Sequence, residues 1–171
     1  MRRSGFTLIE VLITITIMAV LLIIAVFVIR GGEANARDNE RKTDVATIAQ
    51  QLETYYTSGS NTATTLGQYP GLDQVPGNSG VAATDESTTK ATLRDLDWNT
   101  LRAPGVPTSS PMSLIAASTN AAQTPTISQY IYQPLTSTGA LCTTTASGCR
   151  KFVIYYTLET GGTQSVMSKN Q

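Results

Sequence analysis

The hydrophobic positions of the chain fall into three consecutive patterns, and the first predicts a transmembrane helix. Residues 6–29 form a predominantly apolar run, in which Glu10 is the only charged residue. At 1.5 Å per residue, a helix of this length measures about 36 Å, which is enough to cross a hydrocarbon core of about 30 Å. We therefore expect residues 6–30 to span a membrane, with Arg2 and Arg3 keeping the N-terminal end in the cytoplasm.

The second pattern, over residues 31–57, predicts an amphipathic helix. Apolar residues at spacings of three and four form one stripe, which we expect to pack against the C-terminal part of the chain. The stripe consists of Val45, Ile48, Ala49, Leu52, Tyr55 and Tyr56. Charged residues on the other face are spaced to pair along the helix, and we interpret that face either as solvated or as a contact between subunits. The pairs are Glu33 with Arg37, Asp38 with Lys42, and Arg41 with Asp44.

The third pattern predicts a small head with an antiparallel sheet within residues 58–171. Ser58-Gly59 ends the helix, and the Gly, Ser, Thr, Asn and Pro residues of 58–125 indicate loop, with one or two helical turns within 93–101. β-Branched and aromatic residues then predict strands over 130–133, 151–158 and 164–168. The expected fold class is α+β. A long N-terminal helix, transmembrane in its first half and amphipathic in its second, packs on the small sheet.

The composition argues against several classes of function, because the chain has no net charge and no histidine. Twelve basic and twelve acidic residues leave no net charge, so the chain has no field of one sign that would attract nucleic acid. The absence of histidine removes the commonest general base and the commonest metal ligand. The many serines have no histidine to activate them, and no lysine or carboxylate cluster takes its place. We therefore expect no catalytic residues, no cofactor and no enzymatic activity.

One short motif resembles the beginning of a calcium-binding loop. Residues 95–99 follow the pattern D-x-D-x-N, but Thr100 stands where the loop needs glycine and Val106 where it needs glutamate. After Asp97 the only acidic residue is Glu159, so the sequence offers no second source of carboxylate ligands. We expect no metal site.

Glu10 is the residue that most needs a functional explanation. An acidic side chain within the apolar part of a membrane costs about 3 kcal/mol on insertion scales, so it is normally retained for a purpose. Three alternative interpretations of this segment assign no function to Glu10. They are a plain anchor whose Glu10 reaches back to the membrane surface, a signal peptide cut near Ala34-Asn35-Ala36, and the core helix of a soluble protein. We favour neutralisation of Glu10 by a partner, which indicates a subunit that assembles.

The residues around Glu10 carry a family resemblance. The sequence Ser4-Gly5-Phe6-Thr7-Leu8-Ile9-Glu10-Val11 resembles the processing site of type IV prepilins and pseudopilins, and a looser similarity extends to about Tyr56. The resemblance implies that residues 1–5 are a leader, that prepilin peptidase cuts after Gly5, and that the same enzyme methylates the new N-terminus at Phe6. It also implies that Glu10 of one subunit faces the Phe6 amine of a neighbour and sets the register of a filament.

The resemblance further implies a structural function and a set of partners. The chain is expected to be a single-pass protein of the inner membrane, with its head outside the cytoplasm, that later joins a type IV pilus-like filament. Its expected partners are copies of itself or other pilins, prepilin peptidase, the inner-membrane assembly platform and, before assembly, membrane lipid. A pseudopilin of a secretion or DNA-uptake machine is the close alternative. A membrane-tethered binding domain that never polymerises is the alternative from another class.

The two cysteines, Cys142 and Cys149, enclose six residues in the part of the chain expected to be exported. An oxidising compartment favours a disulfide between them, whereas a cytosolic location would leave two free thiols. A disulfide would staple the connection between the first two predicted strands. We expect the small polar residues between the cysteines to be exposed, and we favour stapling over adhesion as the role of this loop.

Overall fold

The computed structural model describes residues 6–59, 66–74, 92–94 and 96–170, and the side chains of residues 27–31 are outside this description. The predicted leader with its cleavage residue Gly5, and Asp95 of the calcium-like motif, also lie outside the described residues. The chain divides into two compact units, Met1–Ala36 and Arg37–Gln171. Its regular elements are helix α1 (Leu8–Ser58), a 3-10 helix (Trp98–Leu101), strands β1 (Leu114–Ala116) and β2 (Tyr130–Thr136), a second 3-10 helix (Thr145–Ser147), and strands β3 (Cys149–Leu158) and β4 (Gly162–Met167).

The N-terminal unit contains the apolar part of α1. Among the described residues, one helical stretch is long and apolar enough to cross a membrane, Leu8–Val26, and none of it is buried within the chain. The hydroxyls of Thr14 and Thr16 donate 2.8 Å hydrogen bonds to the carbonyls of Val11 and Ile13, so they do not need water. The exposure of this stretch is the opposite of what the core helix of a soluble protein would show.

The later part of α1 forms one wall of the core of the second unit, which we call the head. Val45 and Ile48 are fully buried, and they belong to one apolar cluster with Tyr132 of β2 and Phe152 of β3. The prediction that the apolar stripe packs against the C-terminal part of the chain is therefore confirmed. The helix also ends at the predicted place, because Gly59 takes the left-handed conformation, with φ of 71°, that commonly ends a helix.

The sheet has the strand order β1-β2-β3-β4, and it is mixed where the sequence predicted an antiparallel sheet. Strands β2, β3 and β4 form the expected antiparallel meander, in which Ile154 lies between Tyr132 and Val166. Strand β1 was not predicted, and it runs parallel to β2. The connection over residues 117–129 is long enough to return the chain in the same direction. Three residues are too few for β1 to show a strand period.

Strand β2 is longer than predicted and contains a proline. It continues past residue 133 to Thr136, and Pro134 pairs with Phe152 of β3. Strand β1 covers only the first three residues of β2, and beside Pro134 the Cys142 N–H donates a 2.9 Å hydrogen bond to the Pro134 carbonyl. The Cys142 carbonyl accepts a bond from the Leu72 N–H, so it does not need the backbone N–H that a proline lacks. With these corrections, the fold is the expected α+β, pilin-like arrangement.

Candidate functional site

The start of α1 is held by a capping arrangement that involves Glu10. The Thr7 hydroxyl and carbonyl oxygens accept hydrogen bonds from the Glu10 backbone N–H at 3.4 and 3.1 Å. Thr7 is therefore the N-cap residue and Glu10 the third helical residue, which is the Thr-x-x-Glu spacing of a capping box. This cap was not predicted, although the spacing of Thr7 and Glu10 in the sequence is a signal for it.

The carboxylate of Glu10 lies in the first turn of α1, where the helix dipole favours a negative charge. Across residues 6–59, 66–74, 92–94 and 96–170, no ion pair and no side-chain hydrogen bond engages this carboxylate. The local backbone thus accounts for the position of Glu10 on the helix. It does not provide the carboxylate with a partner.

The side chains around Glu10 present an apolar surface without interruption. Every residue from 6 to 26 is exposed, and Phe6 and Leu8 have 80% and 84% of their surface accessible. A contiguous apolar surface of this extent marks a site of contact with lipid or with other proteins. The described apolar part of the N-terminal unit is therefore suited to contact with lipid or with other apolar helices.

A second cluster of charges lies in the head, where Asp38 joins α1 to the turn between β3 and β4. The Asp38 carboxylate accepts hydrogen bonds from the Glu159 and Thr160 backbone N–H groups at 2.8 and 3.0 Å, and from the Thr160 hydroxyl at 2.6 Å. It also accepts from Arg41 at 3.0 Å. Burial by itself would raise the pKa of Asp38, but the hydrogen bonds from Thr160 and the Glu159 backbone outweigh it and lower the pKa to about 2.

Glu159 is the other acid of this cluster. Its two carboxylate oxygens accept hydrogen bonds from Nε and Nη2 of Arg37, both at 2.8 Å, and Arg41 Nη2 lies 2.9 Å from Oε1. The hydrogen bonds from Arg37 and then Arg41 lower the pKa of Glu159 to about 2. Two arginines of α1 and two acids therefore form one connected network.

This network corrects the expected charge pairing along the helix. Asp38 and Arg41 were expected on an exposed face with Lys42 and Asp44 as partners, but they are 3% and 1% exposed and bond to each other and to the β3–β4 turn. Glu159 and Thr160, which bond to Asp38 and Arg41, lie more than 100 residues away in the sequence. Helical spacing cannot reveal partners at that separation.

Asp44 has a different partner from the one expected. It is half-buried and accepts a 3.1 Å hydrogen bond from the Tyr130 hydroxyl of β2. Burial raises the pKa of Asp44 to about 6, the bond from Tyr130 opposes the shift, and the charge of Glu40 adds to it. Burial and the neighbouring Asp44 carboxylate likewise raise the pKa of Tyr130.

The disulfide between Cys142 and Cys149 closes the connection from β2 to β3, and both cysteines are fully buried. The loop that it closes is exposed as expected at Thr144, Ala146 and Ser147, but Thr145 is buried. The Thr145 hydroxyl accepts a 2.9 Å hydrogen bond from the Gly71 N–H, and its own N–H donates to Asp73 at 3.0 Å. Only glycine fits at position 71, because a Cβ there would collide with the Thr145 backbone. The loop is thereby fixed to a distant segment that sequence spacing does not reveal.

Asp97 of the calcium-like motif has a structural role. Its carboxylate accepts a 3.0 Å hydrogen bond from the Asn99 N–H and caps the 3-10 helix Trp98–Leu101. In the part of the chain that the structure describes, no group of three or more His, Cys, Asp or Glu residues is arranged to hold a metal ion.

Comparison with known protein families gives a match on the N-terminal residues. Residues 1–26 match the family model described as the prokaryotic N-terminal methylation motif. No curated protein and no solved structure matches the chain. The motif supports a type IV pilin-like or pseudopilin precursor, and with the apolar helix it fits a protein anchored in the inner membrane.

Proposed function

We propose that this chain is the precursor of a structural subunit of a type IV pilus-like filament. Prepilin peptidase removes residues 1–5 by cutting after Gly5 and then methylates the amine of Phe6. The helix is held in the inner membrane with its N-terminus in the cytoplasm until the assembly platform transfers the subunit into the filament. There, the apolar half of α1 packs against the same helices of other subunits.

The observation that carries this proposal is a methylation motif over residues 1–26 that includes the start of α1, where every side chain from Leu8 to Val26 is exposed. Leu8 is the first helical residue and Thr7 is its cap, so removal of residues 1–5 leaves the capped start of the helix intact. A subunit that moves from lipid into a helical bundle exchanges one apolar environment for another. A fully apolar helix surface is suited to both environments.

The proposed role of Glu10 is to set the stagger between subunits. Cleavage creates a positive amine at Phe6, and a positive charge is unfavourable at the N-terminus of a helix unless an acid compensates for it. A buried ion pair adds little net stability, but an unpaired buried charge is costly. The correct stagger pairs Glu10 of one subunit with the Phe6 amine of the next. Every other stagger leaves both charges buried without a partner, and this cost is larger than the stability gained from the correct pair.

Two substitutions test this role directly. Glu10→Gln and Glu10→Val should leave the protein in the membrane fraction with an unchanged head, while filaments are lost or irregular in electron micrographs of sheared cells. Glu40→Gln is the matched control, because Glu40 is an exposed acid of the same helix that belongs to the head, and it should leave filaments normal. Normal filaments from both Glu10 variants would rule out the register role.

The location of the subunit in the cell distinguishes a filament subunit from the alternatives. A pilus subunit should be abundant in material sheared from the cell surface, whereas a pseudopilin should remain with the envelope. A membrane-tethered binding domain would be found as single copies in the membrane, and Glu10 substitutions would change nothing in its behaviour. Crosslinking in intact cells, read as a ladder of multimers that Glu10→Val removes, distinguishes assembly from tethering.

A further inference from the structure

Strands β2 and β3 lose their regular pairing at one point, where Arg150 is the extra residue of a β-bulge. Leu135 pairs with Lys151, whereas Thr136 pairs with Cys149, so Arg150 has no opposite residue. On a regular strand, Arg150 and Lys151 would point to opposite faces of the sheet. A bulge redirects side chains, and here both consecutive cations line the same open cleft of about 470 Å³.

The walls of this cleft, which we call the Arg150–Lys151 cleft, come from four separate parts of the head. Besides the two cations, its lining includes Tyr56 near the end of α1, Ser137 after β2, and Asn170 near the C-terminal end. Each of these residues belongs to the unit Arg37–Gln171. The cleft is therefore a feature of the folded head, and no residue of the N-terminal unit lines it.

Arg150 is held in place at the cleft with most of its donors still available. Its Nη1 donates a 2.7 Å hydrogen bond to the Gly67 carbonyl, and the Gly67 N–H donates a 2.8 Å bond to the Tyr56 carbonyl. These two bonds connect β3, the loop at Gly67 and the end of α1. A guanidinium has five N–H donors, so four remain for a ligand.

Among the described residues that line the cleft, the charged ones are both positive. Lys151 is half-buried, and among the described residues no acid pairs with it. Glu53 contacts the cleft residue Asn170 but is already engaged, because its carboxylate accepts hydrogen bonds from the Tyr69 hydroxyl, the Lys169 N–H and the Asn170 amide at 2.8–2.9 Å. A bound anion would supply these two cations with a counter-charge.

We propose that the Arg150–Lys151 cleft binds a phosphate monoester. The lining offers a guanidinium, an amine and the hydroxyls of Tyr56 and Ser137, which together are enough donors for the three free oxygens of a phosphate monoester. A cleft of about 470 Å³ accepts a group of sugar-phosphate size. Two cations are too few for a nucleic-acid backbone, which needs a longer track of basic residues. The site is independent of the proposed filament function.

Isothermal titration calorimetry of the full-length protein in detergent, with inorganic phosphate and then glucose 6-phosphate at constant ionic strength, tests the site. We expect saturable binding of one molecule per chain. Lys151→Gln should weaken binding about tenfold, because it removes one charge-assisted contact. Arg150→Gln should do the same, but it also removes the bond to Gly67, so Lys151→Gln is the decisive variant. Arg94→Gln removes an exposed cation elsewhere and should leave the affinity unchanged.

Several results would overturn the proposal. These are no saturable heat with either phosphate compound, equal affinity in the Lys151→Gln variant, or equal loss in Arg94→Gln. Acetate binding as tightly as phosphate would replace the phosphate site by a carboxylate site. A 12-nucleotide single strand that binds more tightly than phosphate, with an affinity that falls steeply with salt, would replace it by a nucleic-acid surface.

Discussion

Asp38 and Glu10 are acids of the same helix, but only Asp38 has hydrogen-bond partners for its carboxylate among the described residues. This difference distinguishes the head from the N-terminal unit. Asp38, in the head, is buried and accepts hydrogen bonds from Arg41, Thr160 and the Glu159 backbone. Glu10, in the N-terminal unit, has no partner for its carboxylate among the described residues, and the apolar side chains around it are exposed. The charges of the Asp38 network are paired inside the head, whereas the described apolar part of α1 leaves the Glu10 carboxylate and an exposed apolar surface for another molecule to contact.

This contrast shows where stability and assembly are encoded. The buried network of Asp38 and Arg41 has partners from distant parts of the chain, so its loss should destabilise the head. In the apolar part of α1, the side chains of Thr7, Thr14 and Thr16 bond to the backbone of their own helical turn. Changes there should spare the head and alter only what the protein joins.

The largest effect on the head is expected from Arg41→Met. The substitution removes the guanidinium that pairs with Asp38 and Glu159, and breaking a buried ion network from one side leaves its carboxylates uncompensated. We expect the melting temperature of the head to fall by about 10 °C or more. Circular dichroism of the detergent-solubilised protein measures this, with membrane retention unchanged.

Lys42→Met is the matched control for this variant, because Lys42 is the exposed neighbour of Arg41 on the same helix. It should melt within about 2 °C of the unmodified protein, as surface substitutions usually do. If Arg41→Met and Lys42→Met lower the melting temperature equally, the network does not stabilise the head. The contrast between the two acids would then lose its energetic basis.

The disulfide should have the next largest effect. Replacing both Cys142 and Cys149 by alanine should lower the free energy of unfolding of the head by about 2–3 kcal/mol, as expected for opening a loop of this size. Thr143→Ala, at an exposed position in the same loop, is the control. Denaturant unfolding measures the loss. Equal stability of the double variant and the control, or absence of a mass increase on reduction, would contradict the disulfide.

The pH dependence of stability should be smaller and should have two limbs. The pKa values of Asp38 and Glu159 are lowered to about 2, so their contribution is present above about pH 4 and is lost as the pH falls toward 2. The pKa of Asp44 is raised to about 6, so its contribution is present below about pH 4 and is lost as the pH rises through 6. We expect the melting temperature of the head to be highest at about pH 4–5.

The variant Asp44→Asn isolates one of these limbs. It should flatten the decrease in melting temperature above about pH 4 and leave the acid limb in place, because the Asp38 network is unchanged. Parallel curves for Asp44→Asn and the unmodified protein between pH 4 and pH 7 would show that Asp44 does not titrate in that range.

Features with a local cause could be predicted from the sequence, and features with a distant cause could not. The apolar run, the stripe from Val45 to Tyr56, the stop at Gly59 and strands β2 to β4 follow from spacing and composition, and the structure has them. The short parallel strand β1 and the buried pairing of Asp38 depend on contacts across the fold. The partners of Asp38 lie at positions 159 and 160, beyond any helical period. The Thr7 cap is the exception, since its spacing was present in the sequence and went unused.

The central claim is that the N-terminal unit is processed for assembly, and mass spectrometry of the N-terminal peptide from purified membranes tests it most directly. The account predicts a chain that begins at Phe6 and carries one added methyl group. A chain that still begins at Met1 would indicate a permanent membrane tether, and one that begins at Arg37 would indicate a secreted protein cut after Ala36. Either of these two results would contradict the account.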